Sequence, residues 1–210
     1  MPTKVFEELD SSKKENIIRA AMEEFAMYGY ENSSTNRIVK ECGISKGSLF
    51  KYFENKEELY FFLADTVMAE MAGDLSAKAD KLPDTLFGRI KAYSEMEISW
   101  YIDHPGKGRF IIAIASERGE IYKKISERYG GQGNDIYTSL MDGVDMSSIR
   151  CCGQDVSDIV RWVLTGFKND FLEHTHGDAL SLKEQYTQRL DVYLDILENG
   201  MMKESGTDGK

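Results

Sequence analysis

Apolar residues recur at helical spacing along the whole of this chain. Ile17, Ile18, Ala21, Met22 and Phe25 share one face of a 3.6-residue period and predict a first helix, with Ser11 or Ser12 as its N-cap. Thr35 to Glu41 predicts a short second helix around Ile38 and Val39, with Asn36, Arg37 and Lys40 turned outward. Cys42-Gly43 ends it, since glycine takes the left-handed conformation that a helix C-terminus needs. Ile44 plugs the turn, and Ser45 caps a third helix, Lys46–Phe53. There Leu49 and Phe53 stand one turn apart with Phe50 beside them, and all three are expected to pack inward. Lys46, Gly47, Ser48, Lys51 and Tyr52 are left on the outer face.

A long helix begins near Asn55-Lys56, carries Leu59, Phe62, Leu63, Val67 and Met71, and ends at Leu82-Pro83. About 25 unbroken residues would span roughly 37 Å. Asp84 to Asp103 is the next helix, with Leu86, Phe87, Ile90, Tyr93, Met96 or Glu97, and Trp100 on or near one face, stopped by His104-Pro105-Gly106. A short helix Arg109–Ser116 follows, then Glu120 to Met141, in which Gly130, Gly131 and Gly133 argue against continuity. Two broad stripes close the chain. One is Val156, Ile159, Val160, Val163, Leu164, Phe167 and Phe171; the other is Leu182, Tyr186, Leu190, Tyr193, Leu194 and Leu197. The connector His174–Ser181 is short enough to make them antiparallel neighbours. The pattern predicts an all-α protein in two parts, residues 1–60 and 61–203, with a tail at 204–210.

Charge sharpens the reading of the first part. The chain carries −10 overall, which excludes a general polyanion binder. Between residues 33 and 56, five basic side chains (Arg37, Lys40, Lys46, Lys51, Lys56) face two acidic ones (Glu41, Glu54), a local +3 on a body of −13. A small basic face on an acidic protein lets phosphate contacts form in one orientation only. With the turn chemistry, it describes a helix-turn-helix over about residues 34–53. Its second helix would enter a DNA major groove by its N-terminal end.

The stretch from about Lys14 to Phe62 resembles the DNA-binding domain of the tetracycline-repressor (TetR-type) family of bacterial transcription regulators. The carrying residues are Phe25-Ala26-Met27-Tyr28-Gly29-Tyr30, Ser34-Thr35, Gly43-Ile44-Ser45-Lys46-Gly47-Ser48-Leu49-Phe50-Lys51-Tyr52-Phe53 and Asn55-Lys56-Glu57-Glu58-Leu59. Phe50 stands where the family usually has tyrosine, and Tyr52 where it often has histidine or tyrosine. The resemblance implies an N-terminal three-helix DNA-binding domain and a C-terminal helical ligand-binding and dimerisation domain. It also implies a ligand-responsive regulator, most simply a repressor released from its operator by a small apolar or aromatic effector. A rival reading is a helical small-molecule-binding protein or enzyme in which the hairpin only packs.

The expected DNA-facing set is Thr35, Asn36, Ser45, Lys46, Gly47, Ser48, Leu49, Lys51, Tyr52 and Lys56. Thr35 and Lys56 open helices and can give backbone N–H groups to phosphate, Lys56 its ammonium as well. Leu49 is either buried or against a thymine methyl. Two copies reading adjacent half-sites supply the affinity that one short helix lacks. The expected dimer interface is Val160, Leu164, Phe171, Tyr186, Leu190, Tyr193, Leu194 and Leu197. For an effector pocket, Met96, Trp100, Phe110, Trp162 and Phe167 are the candidates.

No catalytic residue, metal or cofactor is expected. Gly43-Ile44-Ser45-Lys46-Gly47 matches a nucleophile elbow, but helices and not a strand flank it. Glu173, His174, His176 and Asp178 hold possible ligand atoms, yet the two histidines do not share a helix face. Three cysteines make no disulfide framework. The apolar run Phe110–Ala115 is too short for a membrane span, and the N-terminus lacks a secretory h-region, so the expected compartment is the cytoplasm.

Overall fold

In the computed structural model of this chain, residues 2–79, 82–141, 143–144, 146–147, 149, 153–175 and 178–201 are described. Among them are ten helices and no β-strand: α1 Lys4–Glu7, α2 Ser11–Asn32, α3 Thr35–Glu41, α4 Lys46–Tyr52, α5 Lys56–Ala79, α6 Leu86–Asp103, α7 Pro105–Ser116, α8 Gly119–Met141, α9 Gly153–His174 and α10 Ala179–Met201. The expected all-α architecture is present. Cys151, Cys152, His176 and the expected tail lie outside the described residues.

Several boundaries differ, each for a local reason. The cap of α2 is Asp10, whose carboxylate accepts the Lys13 amide at 2.9 Å, and not Ser11 or Ser12. The expected stop at His104-Pro105-Gly106 holds, with α6 ending at Asp103, and Pro105 also begins α7: its fixed φ and missing N–H suit that helix's first position. Helix α8 runs on through Gly130, Gly131 and Gly133. Asp178 accepts the Leu180 and Ser181 amides, both at 3.1 Å, and so caps α10, while His174 sits beside Asp170 one turn back. These two candidate metal ligands therefore do helix-end work.

The chain divides into two compact units: residues to Asp74 with His104–Glu127, and Leu75–Asp103 with the residues from Arg128 on. The first unit thus adds the whole of α7 and the start of α8 to the N-terminal helices. Its core is aromatic. Phe6 of α1 meets Phe53 and Phe62 at 4.8 and 5.6 Å between ring centroids, and Tyr60 packs edge-on to Phe25 and Phe110 at 5.0 and 5.7 Å. In the second unit α6, α9 and α10 share a core of Leu86, Phe87, Ile90, Ile98, Val156, Val160, Leu164, Phe167, Phe171, Tyr186, Leu190 and Leu194.

That second core corrects the expected interface. Val160, Leu164, Phe171, Tyr186, Leu190 and Leu194 are buried by the subunit's own helices, with Tyr193 and Leu197 packed partly against them. The six buried side chains have little surface to offer a second chain, whereas Tyr193 and Leu197 keep part of theirs. Among the described residues, the large apolar side chains that α9 and α10 do expose are Trp162 at 65%, Leu180 at 69%, Val192 at 57% and Ile196 at 62%.

Candidate nucleic-acid interface

Backbone bonds close α3 and a side-chain cap opens α4. The Cys42 amide closes α3 on Ile38, Gly43 takes φ 67°, and the Ile44 amide reaches back to the Val39 carbonyl at 3.0 Å. This is the six-to-one bond of a glycine-terminated helix. The Cys42 thiol is buried, donates to the Ile38 carbonyl at 3.0 Å, and has its pKa pushed up by burial. Ser45 then accepts the Ser48 amide at 3.0 Å, and the two hydroxyls meet at 2.8 Å. The expected stop and start both hold.

Of the ten expected DNA-facing residues, Asn36, Ser45, Lys46, Gly47 and Lys51 are exposed, and Thr35 and Ser48 half-buried. Gly47 lies inside a helix, where glycine costs about 1 kcal/mol against alanine. A Cβ there would meet only the Ser45 hydroxyl, at 3.8 Å. The chain's own packing therefore does not require a glycine at 47, and its smallness is available to whatever approaches from outside.

Two of the expected contacts are core residues instead. Leu49 is 1% exposed and Tyr52 5%. The ring of Tyr52 packs against Phe6 at 6.0 Å, a partner supplied by α1, which the pattern did not reveal. Phe50, expected inside, is 40% exposed, with the Lys46 ammonium 6.0 Å from its ring centroid. Helical spacing explains the exchange. Tyr52 is three residues from Leu49 and shares its face, whereas Phe50 is four from Lys46 and shares that one. The segment before α1 also reaches this helix: the Thr3 amide and hydroxyl donate to the Tyr52 and Lys51 carbonyls at 3.0 and 2.7 Å.

Two of the five basic charges are committed internally. The Lys56 ammonium lies 4.4 Å from the Tyr30 ring centroid and donates to the carbonyls of Tyr30, Glu31 and Ser33 at 2.7, 3.3 and 3.3 Å. Arg37 forks onto the nearly buried Glu24, its closest approach 2.5 Å, and these bonds raise its already high pKa. The other Glu24 task is to accept the Ser34 amide at 2.7 Å. Lys40, Lys46 and Lys51 remain as the exposed basic face of the helix-turn-helix.

Of the five expected pocket residues, Phe110 belongs to the first unit and the other four to the second. Phe110 is fully buried in the first unit's core. Trp100 and Phe167 are buried in the second, Met96 is half-buried, and Trp162 faces out of α9. The second unit also holds a polar feature that composition concealed. Lys168 of α9 and Glu97 of α6, whose side chains are 10% and 13% exposed, pair at 2.5 Å, with the ammonium 5.1 Å from the Tyr101 ring centroid. In the first unit, Glu70, Asp74 and His104 bring possible metal-ligand atoms within 4.8 Å of one another, but Glu70 is already paired with the Lys107 ammonium. No described helix is long and apolar enough to cross a membrane.

Comparison with known proteins converges on one kind of molecule. The family model for bacterial regulatory proteins of the tetR family matches residues 17–61. The fatty acid metabolism regulator protein of Bacillus subtilis is 35% identical over 138 residues, 64% of this chain and 69% of that protein. The HTH-type transcriptional regulator RutR of Escherichia coli is 29% identical over 100 residues, 47% of this chain and 46% of that protein, so the chain spans about half the length of that relative. Among solved structures, a TetR family transcriptional regulator from Chloroflexus aurantiacus superposes with a TM-score of 0.70 at 19% identity, over 97% of this chain and 100% of that one. FadR from Bacillus subtilis, solved with stearoyl-CoA, gives 0.57 at 19% identity, over 84% and 96%. At those identities the structures speak for the fold.

Proposed function

Because this chain belongs to the TetR family of bacterial regulatory proteins, we propose that it is a homodimeric, ligand-responsive regulator of transcription that releases its operator when a small molecule binds. The observation that carries this reading is the division of α4. Leu49, Tyr52 and Phe53 anchor the helix, while its capped N-terminal end presents Ser45, Lys46, Gly47 and Ser48 to solvent. That is the end which reads base edges in a major groove. Lys40, Lys46 and Lys51 supply phosphate contacts, and the acidic remainder of the chain keeps other faces off DNA.

Two copies are needed, because one helix of this length makes few base contacts. The exposed faces of α9 and α10, with Trp162, Val192 and Ile196, are the surface we assign to the second copy. Such apolar faces join when they match the same surface of a twofold-related copy.

For the effector we infer a fatty acyl thioester of coenzyme A. The support is likeness alone: the relative matched over the larger part of its length regulates fatty acid metabolism, and a fold relative carries stearoyl-CoA. A useful switch requires the effector to favour one state by roughly 100-fold, about 3 kcal/mol. Fluorescence anisotropy on a duplex from the chain's own upstream region, with stearoyl-CoA added at micromolar concentration, tests both steps. Expected are salt-sensitive binding and then release. Binding that no acyl-CoA of any chain length disturbs removes the effector and leaves the regulator standing. Absence of sequence-preferring binding sinks both.

A further inference from the structure

The elbow at residues 29–34, which turns the chain from α2 into the helix-turn-helix, is held by charged side chains from three elements. Glu24 of α2 accepts the Ser34 amide, and Lys56 of α5 donates to the Tyr30, Glu31 and Ser33 carbonyls. Both lie within the 17–61 segment that carries the family match. The third side chain comes from far outside it. Glu117, between α7 and α8, accepts the Tyr30 amide at 2.6 Å and stands 3.4 Å from the Tyr60 hydroxyl.

Gly29 creates the need for that bond. At φ 67° and ψ 178° it interrupts α2, so the Tyr30 amide loses the carbonyl four residues back that a continuous helix would give it. The positive φ is what favours glycine here, and a Cβ at this position would touch the Glu117 carboxylate at an ordinary 3.4 Å. Glu117 is 8% exposed, and side-chain oxygens that deep need hydrogen-bond donors. Its own backbone is fixed as well. The Glu117 amide closes α7 on Ile114 at 3.3 Å, and Arg118 folds back onto the Ser116 and Glu117 carbonyls at 3.0 and 2.8 Å.

We propose that Glu117 is a positioning residue for DNA binding: by holding the Tyr30 amide it sets the angle at which the elbow presents α3 and α4. The α7–α8 junction thereby becomes the control point for that angle. Helix α8 begins two residues after Glu117, so a displacement of its first turn reaches the elbow by way of this carboxylate. The proposal rests on the regulator reading above.

The test uses the full chain with Glu117→Ala, Glu117→Asp and Glu117→Gln. Affinity for the upstream duplex is read by anisotropy, beside melting and amide hydrogen exchange over residues 27–34. Loss of a charge-assisted bond should weaken DNA binding by about tenfold in the alanine variant. Aspartate keeps the charge but falls one methylene short, and should weaken binding in the same direction. Glutamine retains an accepting oxygen and should restore affinity to within about threefold. Exchange at Tyr30 should quicken in the first two variants at temperatures where all are folded. A purely structural cap would lower the melting temperature and leave the affinity of the folded protein unchanged, and that result overturns the proposal. If the alanine variant fails to fold, the aspartate variant decides: wild-type affinity there overturns it too. A wild-type chain that does not bind the duplex instead overturns the regulator reading itself.

Discussion

Lys46 stands in the first turn of α4, exposed and beside the equally exposed ring of Phe50. Lys46→Ala should weaken operator binding without moving the melting temperature. If the lost contact is to phosphate, the salt dependence of binding should flatten by about 0.9 in log–log slope. An unchanged slope with weaker binding would assign Lys46 to a base edge. Tyr52→Ala should do the reverse. Its ring is buried against Phe6, so truncation should cost about 3–5 kcal/mol of stability and reduce DNA binding only through unfolding. A Tyr52→Ala protein as stable as wild type would contradict that burial. Cys42 gives a pH prediction. Its folded pKa is raised, so its contribution is present in full below the unfolded thiol value of about 8.5 and is lost as pH rises through the folded one. Melting temperature should therefore fall on the alkaline side, and Cys42→Ala should flatten the fall. Leu49 was legible in sequence as either core or contact, and it is core. Tyr52 was not legible, because the side chain that covers it belongs to a helix with no periodic signal.

At the scale of elements, legibility followed how local the cause was. The stop at Gly43 and the start at Ser45 depend on bonds within a few residues, and both were readable. Helix α1 has four residues and one buried side chain, Phe6, so tertiary packing creates it and no pattern announces it. Pro105 was readable as a stop, and α6 does end at Asp103, but that it also heads α7, four residues before the expected start at Arg109, was not. The widths of the α9 and α10 stripes were readable, but not which helices cover them; α6 takes the share that had been given to a second chain. The Lys168–Glu97 pair joins α6 to α9 and was hidden among ordinary surface charges. Lys168→Ala should strand a mostly buried carboxylate and cost about 3–5 kcal/mol, whereas Lys168→Met with Glu97→Leu should be near neutral. Denaturant melts of the two proteins would decide, and equal losses would mean that the pair is effectively solvated.

For the molecule as a whole, the expected break near residue 60 compares with compact units in which α7 and the start of α8 belong with the N-terminal helices. No local pattern could have shown this, since the ties are long-range: Glu117 to Tyr30, and Lys124 to Glu57 at 2.6 Å. Assembly has its own test. Ile196→Glu should give folded monomers with weakened operator binding, because that side chain is 62% exposed in one chain and the proposed partner covers it. Leu190→Glu, at a fully buried position, should fail to fold instead. Light scattering that finds Ile196→Glu dimeric would move the interface elsewhere. The Thr3 clamp on the end of α4 has a practical corollary. A fluorescent reporter or purification handle spliced ahead of Thr3 would emerge beside the DNA-facing helix and act as an inhibitor in cis. Operator affinities measured on such fusions should understate those of the unencumbered protein.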